Sequence, residues 1–491
     1  MKRFKLLPAL LPFIMLSGTM PVRAEDDTVV LRVCNWEEYV DEGGWDEEET
    51  IELESGDIFG ADPLYEEFQD WYYENYGQKV RVEYSCFGTN EELYNMLTLG
   101  DVYDLVVPSE YMFMKLLEED MLVPYSAEFF DEEKEDNYYI RNVSPFIRST
   151  FESNEIDGHH WNEYAAGYMW GVTGILYNAD EVSKEDASTW KILDNPAYFR
   201  QITVKDNVRD TYFAALGAIK SEKLLSPAFI NDPDYHDKLA AEMNDVSPET
   251  IAESLDYLQK VRDNVYSFET DSGKADMVTG KVHANYQWSG DAVYAMDQAE
   301  EEDDVCLSFS VPDECTNLWF DAMVMLKKGI SEDPRKQAAA EAYVNFMSRP
   351  DNAVRNMYYI GYTSSISGGP DGDQVFEYMD YMYGAEEDEE DVVDYDVSYF
   401  FGERDGEPAC ITAPTEQLDR QLFAQYPTEE VMNRSSLMFY FDAEANADIN
   451  RMWVGVRCYN IKNVPPVCWV IFALVIIAGV ILAIRKKKNE R

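Results

Sequence analysis

Val29-Val30-Leu31-Arg32-Val33, Lys79–Tyr84 and Asp104-Leu105-Val106-Val107 are three short β-rich runs near the start of the chain, and two helix signals separate them. Asp62-Pro63-Leu64 opens the first helix, with Asp as N-cap and Pro at the first position. It runs through Glu66-Glu67-Phe68-Gln69-Asp70-Trp71-Tyr72 and stops at Gly77. Thr89-Asn90-Glu91-Glu92 is a capping box that opens a second helix over Leu93–Leu99, closed by Gly100. A β-α-β-α-β order predicts an α/β fold with a parallel sheet covered by helices. In such sheets functional residues gather in the loops after the carboxyl ends of the strands. Here those loops are Asn35-Trp36-Glu37-Glu38-Tyr39 and Pro108-Ser109-Glu110-Tyr111, and each places aromatic rings beside carboxylates.

Composition narrows the function classes. The 491 residues leave room for two to four domains or lobes at roughly 100–200 residues each. A hydrophobic content of 46% with 14% aromatics is too rich for a disordered acidic chain. Forty Lys and Arg against 95 Asp and Glu give a net charge of −55, which repels phosphate backbones and excludes nucleic acid as a partner. A cationic partner suits that field better than an anionic one.

Both ends read as targeting segments. Met1-Lys2-Arg3-Phe4-Lys5, the apolar run Leu6–Leu16 and Val22-Arg23-Ala24 form a signal peptide over residues 1–24. No Cys follows the apolar run directly, so a lipid-anchored precursor is not expected. Val467–Ile484 carries no charge and is followed by Arg485-Lys486-Lys487-Lys488. Eighteen residues span about 27 Å as a helix, close to a bilayer core, and the basic block marks the cytoplasmic side. The expectation is a single-pass membrane protein with an extracellular or periplasmic ectodomain and a cytoplasmic tail over residues 485–491. Removing both basic ends leaves the ectodomain still more acidic.

The seven cysteines have neither CxxC nor zinc-ligand spacing. Cys306 and Cys315 flank a turn and are placed either for a disulfide or as free thiols. Asp41–Ala61 and Asp380–Asp396, with Glu47-Glu48-Glu49 and Glu386-Glu387-Asp388-Glu389-Glu390-Asp391, read as solvated excursions.

The pairing of aromatic and acid recurs. Tyr286-Gln287-Trp288-Ser289-Gly290-Asp291 and Leu318-Trp319-Phe320-Asp321 repeat it, and Ile360-Gly361-Tyr362-Thr363 supplies an aromatic without the acid. With the two early loops, five elements in this order over more than 300 residues resemble the spermidine/putrescine-binding proteins of ABC transporters. The resemblance implies a periplasmic-binding-protein fold of two α/β lobes with ligand held in the cleft between them. Lobe one would comprise residues 28–170 and 316–370; lobe two would comprise 171–315 and 371–460, with Gly167-Tyr168-Met169-Trp170-Gly171-Val172 as the first crossover.

The same resemblance maps ligand-binding positions. Trp36 and Tyr39 match the aromatic pair of the first loop, and Ser109 and Tyr111 match the loop after the third strand. Trp288 and Trp319 match two later tryptophans, Asp321 an acid two residues on, and Tyr362 the tyrosine after Ile-Gly. Glu37 stands where the family has Thr. Within Lys205-Asp206-Asn207-Val208-Arg209-Asp210, Asn207 and Asp210 stand where the family has Asp and Glu, which places ligand length in question. A glutamine used by some members falls near Phe439.

The chemistry of these residues supports the class without the name. A polyamine is a set of ammonium heads joined by methylene chains, so it needs carboxylates at the heads and apolar walls between them. Aromatic rings cover methylenes and attract cations by about 0.5–2 kcal/mol each. No HExxH, GxSxG or Walker A pattern appears, no EF-hand spacing exists, and the four histidines form no motif, so neither enzyme chemistry nor a metal or cofactor is expected. Trp71, Trp161 and Trp190 are expected in the core. The sequence reading is a monomeric, membrane-anchored solute-binding protein that captures a polyamine and delivers it to ABC permease subunits served by a cytoplasmic ATPase. A receptor for another small cationic or amino-acid-like solute, or a surface ligand sensor, is the alternative.

Overall fold

The computed structural model describes residues 27–458, apart from 271, 304, 370–372, 387 and 405. The signal peptide over residues 1–24 and the apolar segment 467–484 lie outside the described residues. Among the described residues no helix is long and apolar enough to cross a membrane.

The three early strands form as Val29–Trp36, Val80–Phe87 and Leu105–Val106, and both neighbours pair with Val29–Trp36 in parallel. Helices Leu64–Tyr76 and Asn90–Leu99 connect them. The first helix starts one residue later than the Asp-Pro signal predicts, with Pro63 at the N-cap, because the Leu64 N–H donates to the Asp41 carbonyl at 3.1 Å. Gly77 ends it in the left-handed region. The Thr89 hydroxyl accepts from the Glu92 N–H, while the Glu92 carboxylate reaches past it to the N–H of Gly88.

Two long strands, Ala165–Asn178 and Thr316–Leu326, run antiparallel through the centre, and their interiors are buried on both faces. The crossover expected at Gly167–Val172 lies inside the first of them. Its early half pairs with Thr316–Leu326, and its later half pairs with Ala284–Trp288 and Leu307–Ser310. The central pair thereby joins two parallel groups into one twelve-stranded sheet. One group holds the early strands. The other holds Ala284–Trp288, Ile202–Lys205 and Ser267–Glu269. Such two-sided burial suits near-continuous apolar runs, and each large buried side chain contributes about 1.5–3 kcal/mol.

The late segments serve both halves. Helix Gln374–Tyr383 packs on Pro350–Ile360, and Ser398–Phe401 packs on Pro145–Ser153. Helix Gln421–Gln425 packs on Ser289–Asp303, and Ala443–Arg457 packs on Pro248–Asn264.

The first excursion is only partly solvated. Glu47, Glu48 and Glu49 are exposed, but Asp41, Trp45, Ile51 and Ile58 are buried. Arg355 pins it: its guanidinium donates to Asp41 at 2.7 Å, to Glu67 at 2.9 Å and to the Asp62 carbonyl at 2.8 Å. The run of acids masks apolar residues spaced too far apart to read as an element. Trp161 and Trp190 are core residues, and Trp71 is partly buried against the core. The six described cysteines, Cys306 and Cys315 among them, are free thiols.

Candidate functional site

A cleft of about 860 Å³ opens where the loops of both parallel groups meet the central strand pair. Trp36, Glu37, Tyr39, Ser109, Tyr111, Asn207, Asp210, Trp288, Trp319, Asp321 and Tyr362 all line it. These eleven positions come from six separate stretches of the chain and from both parallel groups of the sheet.

The first loop turns because Glu38 adopts a left-handed conformation, φ 53°. Asn35 then accepts the Trp36 N–H and donates to the Tyr39 carbonyl, which also accepts from Tyr168 at 2.6 Å. The turn leaves Trp36 against Phe87, ring centroids 4.6 Å apart, and drives Tyr39 inward, edge-on to Tyr168 and Tyr362. Tyr362 in turn meets Trp319 at 5.5 Å. Gly290 makes room for the Tyr362 ring; a Cβ there would lie 2.2 Å from it. The indole N–H groups of Trp36 and Trp319 find no acceptor among the described residues.

Asp321 sits at a register shift in Thr316–Leu326, where a bulge re-aims a side chain out of the strand pattern. Its two oxygens accept from the Ser109 hydroxyl at 2.7 Å and the Tyr39 hydroxyl at 2.8 Å. Among the described residues no Lys or Arg pairs with it. Burial pushes its carboxyl up to about 7, against the pull of both hydroxyls. Glu110 lies beside it and accepts the Phe320 N–H at 3.1 Å; burial raises this carboxyl to about 8.

The second group supplies the opposite wall. Asn207 caps helix Val208–Leu224 through its side-chain oxygen, which accepts from the N–H groups of Arg209 and Asp210. That cap aims Asp210 at the cleft, where burial raises its carboxyl to about 6 against the pull of Lys205 and the Trp288 indole. Arg209 is held between the rings of Tyr111 and Phe441 and donates to the Phe439 carbonyl. The cleft residue from that late segment is Met438.

Several charged groups escaped the sequence reading. Asp291 lines the cleft and accepts from Lys205 at 3.1 Å, Lys274 at 3.3 Å and the Tyr362 hydroxyl at 3.0 Å. Burial acts to raise its carboxyl, but the two lysines outweigh it and hold the group below its ordinary value. The Lys205 ammonium also lies 3.9 Å from the Trp288 ring centroid. Asp291 and Glu110 stood inside the aromatic-plus-acid elements and were legible there. Lys205 left one weak signal, a lysine closing an otherwise β-apolar run, Ile202–Lys205, and Lys274 left none.

Among the described residues the cleft therefore combines a core of aromatic rings with buried carboxylates, some neutralised from within and one met only by hydroxyls. A family model for bacterial extracellular solute-binding proteins matches residues 64–382. The chain belongs to that family.

Within the solute-binding proteins, it is similar to the spermidine/putrescine-binding periplasmic protein of Salmonella typhimurium, with 27% identity over 286 residues, covering 58% of this chain and 70% of the relative. It is 25% identical over 360 residues to the putrescine-binding periplasmic protein SpuD of Pseudomonas aeruginosa, covering 72% and 82% of the two chains. Among solved structures, a spermidine/putrescine ABC transporter substrate-binding protein of Streptococcus pneumoniae shares the fold, with 23% identity, a TM-score of 0.54 and coverage of 87% of this chain and 98% of the other. A lipoprotein of Treponema pallidum does so at 16% identity and a TM-score of 0.55, covering 87% and 99%. The two-lobed architecture of solute-binding proteins is thus the fold of this chain, and the family is one of binders rather than enzymes.

Proposed function

We propose that this solute-binding protein captures a polyamine, putrescine or spermidine, in the cleft and delivers it to an ABC permease driven by a cytoplasmic ATPase. Asp321 carries the reading. A carboxylate buried among aromatic rings, with hydroxyls but no counter-cation among the described residues, is the partner an incoming ammonium requires. Trp36, Tyr39, Trp319 and Tyr362 supply the faces that cover methylenes and attract cations. The relatives named as spermidine/putrescine- and putrescine-binding proteins support the same ligand class.

Binding closes the two lobes about the central strand pair, the hinge-type motion open to this architecture. In this reading lobe one holds the early parallel group and lobe two the later one, with the division near residues 170 and 316. The protein acts outside the cytoplasm, exported by residues 1–24 and held by 467–484; that part rests on the terminal sequences alone. The second reading, an amino-acid-like solute, draws on Lys274 and Arg209, which line the same cleft and suit a carboxylate.

The test is calorimetric titration with putrescine, spermidine, spermine and arginine at two salt concentrations. Saturable one-to-one binding of a polyamine, weaker at high salt, is expected. Binding of arginine alone would favour the second reading, and binding of none of the four would overturn the polyamine assignment.

A further inference from the structure

The two acids that face the aromatic walls are in opposite states. Among the described residues, Asp321 is met by hydroxyls alone. Asp291 already holds ammonium groups from the protein. Lys205, at the end of Ile202–Lys205, is 1% exposed, and its Nζ donates to Asp291 Oδ2 at 3.1 Å and to the Thr270 carbonyl at 2.9 Å. The same Nζ lies over the Trp288 ring at 3.9 Å. Lys274, about a quarter exposed on the cleft wall, reaches the other oxygen of Asp291 at 3.3 Å.

A butylammonium that touches an aromatic face, a carboxylate and a carbonyl makes the contacts an alkylammonium ligand would make. Lysine's side chain is chemically one end of a diamine. At the Trp288–Asp291 end the protein supplies that end itself.

We propose that Lys205, helped by Lys274, is a specificity-determining residue that discharges Asp291 and occupies a face of Trp288, so that the cleft selects a ligand with two ammonium heads over one with three. The inference rests on the polyamine reading of the site. A third head would find its acid already neutralised and would be buried facing Lys274, which costs free energy through like-charge repulsion and unpaired burial. Two heads still find Asp321 and Asp210, one on each side of the cleft.

Titration of the full protein with putrescine and spermidine tests this. Wild type should bind putrescine at least about tenfold more tightly than spermidine. In Lys205→Met the ratio of the two dissociation constants should move toward spermidine by about tenfold or more, because Asp291 loses its buried counter-charge and Asp210 loses the pull of the same ammonium. Lys274→Met, at a partly exposed position that does not threaten folding, should move it in the same direction by a smaller factor. The double variant Lys205→Met with Asp291→Asn should return toward the wild-type ratio, since neither charge remains. A wild type that prefers spermidine, or a ratio unchanged in Lys274→Met and in a folded Lys205→Met, would overturn the inference while leaving polyamine binding intact. A wild type that binds neither amine would overturn the polyamine reading and this inference together.

Discussion

Tyr39 donates its hydroxyl proton to Asp321 at 2.8 Å, linking the loop after the first strand to the bulge of the central strand 282 positions later. The bond does two things. It holds the aromatic ring of Tyr39 edge-on to Tyr362, and it meets with a hydroxyl a carboxylate that no Lys or Arg pairs with among the described residues. Structure and chemistry meet there: the rings set the width of the cleft, and the acid sets the sign of what enters it.

Asp321→Asn tests the acid directly. The amide keeps the shape but carries no charge, so an ammonium head is left poorly paired. Putrescine affinity should fall by more than about tenfold, measured by calorimetry. Without ligand, the same variant should melt higher than wild type at pH 8. The wild-type carboxyl has a folded pKa of about 7, raised above its ordinary value, so the empty protein loses stability as pH rises from that ordinary range through 7. The variant does not.

Ligand affinity should depend on pH with the opposite slope. Asp321 near 7 and Glu110 near 8 are partly or mostly protonated in the empty cleft at neutral pH. A bound cation favours the ionised carboxylate, so binding releases protons. Affinity should fall as pH is lowered through 7, by up to about tenfold per unit for each proton displaced. Titrations in two buffers of different ionisation enthalpy count the protons. A flat profile from pH 5.5 to 8.5 would contradict this arrangement.

Tyr39→Phe removes one of the two hydroxyls that favour the charged form of Asp321. The carboxyl should shift further up, and the pH at which affinity is half lost should move up with it. Affinity at pH 8.5 should fall less than affinity at pH 7, which separates a shifted titration from a simple loss of contact.

Arg355→Met probes the anchor of the first excursion. It leaves Asp41 buried without its counter-charge, a change that costs about 3–5 kcal/mol. Urea denaturation should show the loss in the midpoint. Replacing Glu48, exposed on the same excursion, by Gln should leave the midpoint unchanged.

The α/β class, the early β-α-β-α-β unit and the aromatic side of the site were legible along the chain. They depend on local rules: capping residues, helix-ending glycines, β-branched runs and loops at the carboxyl ends of strands. Trp36, Ser109, Trp288 and Tyr362 could be nominated because the short motifs that carry them resemble those of a known family, and the net charge of −55 suits a cationic partner. Tertiary structure decided which acids are available. Asp291 and Asp321 look alike in sequence, each a few residues from a tryptophan, yet one meets two lysines and the other two hydroxyls. Those partners come from loops, a strand and a helix 17 to 282 positions away in the chain, so no spacing rule records them. The same holds for Asp41, which reads as one more acid in a solvated stretch until Arg355 closes on it. Local pattern sets what a segment can become, whereas charge pairing in a buried cleft depends on distances that exist only once the sheet has brought remote segments together.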